Sequence, residues 1–107
     1  MNRGYTSEIQ PTMLRTVAWV QSLGFRTTDS GDGVINVEAG MEGALPVAHV
    51  VAVVDVGELI TAAHHLLGAC KAKGLHHLDD FGIEATYSPV DEVATLMLIG
   101  VSDAVLP

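Results

Sequence analysis

The chain has 107 residues, about half of them apolar, and a formal net charge of −8. That length accommodates one domain with one core, so residues 1–107 read as a single domain, and the apolar share argues against disorder. The five basic residues are Arg3, Arg15, Arg26, Lys71 and Lys73, which leaves Thr27–Cys70 and everything after Lys73 without Lys or Arg; this excludes the basic footprint of a nucleic-acid binder and the polybasic patch of an anionic-membrane binder.

The acidic balance suits a basic protein partner. It also serves solubility alone. Cys70 is the only cysteine, so an intrachain disulfide is ruled out, which fits a reducing cytoplasm. The start, "MNRGYTSEIQPT", lacks the apolar core of a signal peptide, and no apolar run has the length of a membrane span. A cytoplasmic location is expected.

In chain order, Pro11 suits the first turn of a helix. Met13, Val17 and Val20 then form one stripe, with Trp19 and Leu23 beside it, and Gly24 is a natural stop. The pattern predicts a first helix over Pro11–Leu23. "TTDSGDG", Thr27–Gly33, has turn chemistry, and "GVINVE", Gly33–Glu38, has the pattern of a strand. "AGMEGALP" is a Gly-rich loop. "VAHVVAVV", Val47–Val54, is β-branched on both faces, as a central strand is. Asp55 and Glu58 have capping-box spacing. The stripe Leu59, Ala62, Ala63, Leu66, Leu67 and Cys70 predicts a second helix over about Val56–Lys73, ended by Gly74. "LHHLDDFG" reads as a polar connector, "IEATYS" as an edge strand, "PVDE" as a turn, and "VATLMLIGV", Val93–Val101, as a second central strand. The tail "SDAVLP" is expected to pack locally.

The order is αββαββ, an α+β protein. One layout satisfies it: a four-stranded, mainly antiparallel sheet with both helices on one face, a ferredoxin-like sandwich with its first strand moved to the end. The second and fourth strands are then central, as their two-sided apolar composition requires. Helices on one face leave the other face of those strands uncovered, which predicts a homodimer or higher homo-oligomer through the open face. Pairing of strands across subunits predicts the same oligomer.

For chemistry, "TTDSGDG" fails as a calcium loop, because its spacing is D-x-x-D-G and it lacks the bidentate Glu. It fails as a phosphate cradle, because it lacks the P-loop pattern and its aspartates repel phosphate. It remains a well-made turn, or a polar site in which Asp29 and Asp32 accept hydrogen bonds beside Arg26. His49 stands in a central strand, where a hydrogen-bonded core or interface role fits. Tyr87, Ser88 and Asp91 surround a hairpin turn and could line a pocket. The candidate ligand-binding residues are Arg26, Asp29, Asp32, His49 and Tyr87. His76, His77, Asp79 and Asp80 crowd one connector, but H-H-x-D-D has no recognised zinc spacing. No G-x-S-x-G elbow occurs, Cys70 lies on an apolar stripe, and the pairs Asp79–Asp80 and Asp91–Glu92 lie in loops without the apolar setting of an acid catalyst. No catalytic residue, metal or cofactor is assigned.

"WVQSLGF" followed by "HVVAVVDVGELITAAHHLLGACKAKG" resembles the vicinal-oxygen-chelate superfamily, which implies a βαβββ fold and a metal enzyme with His49 at a ligand position. The last strand, "LMLIG", lacks the acidic ligand that family places there. "LGFRTTDSGDGVINVEAGMEGALPVAHVV" and "YSPVDEVATLMLIGV" resemble small uncharacterised proteins of tailed phages, which implies an accessory role during infection. The expected function is that of a non-catalytic binding protein, in a phage accessory or counter-defence role. It would block a basic host protein, through acids such as Glu38, Glu42, Asp79 and Asp80, or sequester a small polar ligand. The alternatives are a small metal-dependent enzyme using His49, His76, His77, Asp79 or Asp80, and a structural assembly protein.

Overall fold

A computed structural model describes residues 9–33 and 47–107. In it the chain forms α1 (Leu14–Ser22), β1 (Arg26–Asp32), β2 (Ala48–Val54), α2 (Leu59–Ala72), β3 (Gly82–Ser88) and β4 (Val93–Ile99). The sheet order is β1-β2-β4-β3, with every neighbouring pair antiparallel. The fold is α+β, with β2 and β4 central and β1 and β3 at the edges. That is the permuted ferredoxin-like order. β2 and β3 run parallel with β4 between them, and α2 carries the chain across.

Both helices open through one turn of 3-10 helix, Pro11–Met13 before α1 and Val56–Glu58 before α2. Met13, Thr16, Val17 and Val20 are the buried side chains of the first helical segment, spaced three or four apart. From α2, Leu66 and Cys70 go inward. They meet Val50, Leu96 and Leu98 of the central strands, together with Leu75, Val101 and Leu106, in one core. Burying each such Leu or Val contributes about 1.5–3 kcal/mol.

α1 takes its cap from the far end of the chain. Its own N-cap residue, Met13, offers no side-chain bond. Instead Asp103 accepts the backbone N–H of Arg15 at 3.1 Å and of Thr16 at 2.7 Å, and the buried Thr16 hydroxyl at 2.7 Å. Arg15 in turn donates to the carbonyls of Leu106 at 3.4 Å and Pro107 at 3.3 Å. The tail therefore packs on α1 rather than near β4 alone. At the other end of α1, the Leu23 carbonyl lies 3.0 Å from His65 Nε2 on α2.

Three expectations change. The stretch expected to be a turn, Thr27–Gly33, is mostly strand: β1 is Arg26–Asp32, and only Gly33 is a bend. The rest of the strand expected at Gly33–Glu38, and the loop after it, lie outside the described residues. Ladder bonds to β2 override local turn chemistry, and a register shift between Thr27 and Asp29, a bulge at Thr28, accommodates the irregular sequence. Asp55 stands at the N-cap of the 3-10 turn that opens α2 but makes no side-chain capping bond despite its spacing. The connector after α2 is anchored by apolar residues. Leu75 is buried, and Leu78 and Phe81 pack on the core.

Candidate functional site

The residues of β2 and β4 alternate between the two sides of the sheet. Val50 and Ala52, and Ala94, Leu96 and Leu98, face the helices and are buried. His49, Val51 and Val53, and Thr95, Met97 and Ile99, point the other way. Apart from His49, these six stay half-buried, and none belongs to the core cluster. Cross-strand pairing arranges this open face in rows. One runs Gly31, His49, Ile99, Gly82; the next Asp29, Val51, Met97, Glu84; the third Arg26, Val53, Thr95, Thr86.

The middle row has a carboxylate at each edge of the sheet and two apolar side chains between. With strands roughly 4.8 Å apart, the two edge positions lie roughly 14 Å from each other. In the first row the His49 imidazole lies against Gly31, whose missing side chain makes the space: a Cβ there would come within 2.8 Å of His49 Cε1. His49 is 7% exposed, and its Nδ1 is 3.0 Å from the Val47 carbonyl. A carbonyl only accepts, so Nδ1 is the donor in this bond.

Of the five candidate ligand-binding residues, Arg26, Asp29 and His49 share the open face. Asp32 faces the helices, where it accepts the Thr12 hydroxyl at 2.6 Å and its own N–H donates to Gln10 Oε1 at 2.7 Å. Tyr87 lies on the opposite edge strand, on the helix side, paired with Ala94. The reason is strand periodicity. Asp29 and Asp32, three apart in regular strand, point to opposite sides. Arg26 and Asp29 are also three apart, but the bulge at Thr28 returns them to one side.

Arg26 also borders a cleft of about 350 Å3 at the end of β2, with Phe25, Val53, Asp55, Glu58 and Ala62. Comparison with protein-family models, with curated proteins and with solved structures finds no match to this chain.

The other candidate groups are placed as follows. The His76 and His77 ring centroids lie 3.9 Å apart with the rings tilted by 38°. Among the described residues, no three His, Cys, Asp or Glu side chains gather as metal ligands. Cys70 is fully buried, and burial pushes its thiol up to about 11, which removes it as a nucleophile at neutral pH. Val51, Val53, Thr95, Met97 and Glu84 belong to the open face and were not singled out as site residues. The signal for them was the two-sided apolar character of β2 and β4, together with the alternation in "IEATYS".

Proposed function

We propose that this is a non-catalytic binding protein whose open sheet face holds a basic protein partner. The row Asp29–Val51–Met97–Glu84 carries the reading: an apolar centre to exclude water, with a carboxylate at either rim to select cations. Arg26 is the only Lys or Arg in the three rows, and the chain's charge of −8 extends the same preference over a longer range. The resemblance to small tailed-phage proteins supports a host protein as the partner, blocked in the cytoplasm during infection. The cleft where Arg26 stands beside Asp55 and Glu58 supports a second reading, capture of a small polar ligand carrying both charges.

The test uses tagged wild-type protein, Asp29→Lys/Glu84→Lys and, as a control on another surface, Leu14→Lys as baits in host lysate. Wild type and the Leu14 variant should enrich the same basic protein. The double variant should bind that protein roughly tenfold more weakly, and raised salt should weaken wild type toward it. A wild-type bait that enriches no basic protein, or equal binding by all three, overturns the reading. Native mass spectrometry separates the second reading, which requires a metabolite-sized mass lost on unfolding.

A further inference from the structure

The two edges of the sheet differ. β1 carries the bulge at Thr28, a glycine at 31 and aspartates at 29 and 32, all of which discourage a further strand. β3 has no bulge, its glycine is confined to its first position, Gly82, and its one charge is Glu84. Its seven residues pair with β4 in unbroken register, and among the described residues nothing pairs with its outer edge. Residues 84–87 of β3 are exposed.

A second observation, on the helix side of the same edge, points to what fits there. α2 rests on both β3 and β4. It leaves a groove of about 290 Å3 against β3, lined by Ala63, His64, Leu67, Phe81 and Ile83. α2 and β3 run in opposite directions, so the apolar strip continues from Leu67 and Ile83 toward Ile60 and Tyr87. Ile60 is 68% exposed and Tyr87 47% exposed. The spans agree: Ile60 to Leu67 covers roughly 10 Å of helix, and Ile83 to Tyr87 roughly 13 Å of strand. Ile60, His64 and Leu67 recur at helical spacing and form the outer flank of α2.

We propose that β3 pairs antiparallel with β3 of a second copy, about a two-fold axis at Ala85, joining two sheets into one of eight strands. Three features favour a second copy over another occupant. First, the register centred on Ala85 sets Ile83 opposite Tyr87 of the other copy, an apolar–aromatic pair on the groove side. Second, it sets Glu84 opposite Thr86, whereas a register centred one residue earlier would oppose two glutamates. Third, a helix lying over the β3–β4 gap stands about one strand spacing from the axis. The two α2 helices then lie roughly 10 Å apart, the distance at which helices pack. Their facing flanks are the exposed Ile60 and His64 and the half-buried Leu67. The arrangement leaves the open face uncovered, with Glu84 of that face at the seam between the two sheets.

Native mass spectrometry of the full chain, with oxidative cross-linking of single-cysteine additions, tests it. Wild type should show twice the chain mass. Ile60→Glu should raise the dimer dissociation constant at least about thirtyfold, while Met97→Lys on the open face should leave it unchanged. Ala85→Cys should form an intermolecular disulfide, since Ala85 faces itself across the axis. Glu84→Cys should not, since its counterpart is a diagonal neighbour beyond disulfide reach. Circular dichroism checks that each variant is folded. A monomeric wild type overturns the proposal. So does a dimer that Met97→Lys dissolves and Ile60→Glu spares, or equal cross-linking at positions 84 and 85.

Discussion

Cys70 has no exposed surface, and with its thiol raised to about 11 almost none of it is thiolate at neutral pH. Iodoacetamide should therefore leave the native protein unlabelled over hours and modify it promptly in denaturant; fast labelling of the native state would contradict this burial. Gly100 makes a different demand. Its φ is +84°, and a Cβ there would overlap the backbone carbonyl of Asp80, which has no side-chain freedom with which to yield. Gly100→Ala should cost about 1–3 kcal/mol, read as a lower denaturant midpoint with unchanged slope. At this scale the sequence was only partly legible. His49 was recognisable as a hydrogen-bonded interior histidine from its apolar neighbours. The D-x-x-D spacing of Asp29 and Asp32 suggested one site, but the side each residue takes depends on the bulge at Thr28, which no local pattern announces.

The capping of α1 by Asp103 is an interaction between elements. Partial burial works against the Asp103 carboxylate. Bonds from the Thr16 hydroxyl and the N–H groups of Arg15 and Thr16, with the Arg15 charge, outweigh it and hold its pKa below the ordinary value. Such a depressed group contributes stability that is fully present above the unfolded carboxyl value and lost as pH falls through the folded value. Asp103→Ala should destabilise the protein by about 1–2 kcal/mol at neutral pH. The gap between variant and wild type should narrow below about pH 4 in urea titrations, and a gap constant down to pH 2 would refute this account. Both helices and β3 were readable from periodicity, and the two central strands from apolar residues on both of their faces. β1 was not. Its residues Asp29, Ser30 and Gly31 are turn formers, held extended by pairing with β2. The long-range cap was equally hidden, since it joins residues 88 apart in the chain.

For the whole molecule, an eight-stranded dimer would place two open faces on the same side of one continuous sheet. Such a dimer would present two copies of the Asp29–Glu84 row, and a bivalent basic partner would gain affinity without any new contact. For a basic partner the acidic excess would add long-range attraction that salt removes, so association rate and partner choice should be sensitive to ionic strength. The clasp between Asp103 and α1 has a consequence in time as well. A ribosome delivers the chain from the N-terminus at about 5–20 residues per second, so the 88 residues separating Arg15 from Asp103 take roughly 4–18 s to make. Throughout that interval the nascent α1 has its N-terminal amides open to water, and although it is made before the sheet it is among the last pieces to be secured.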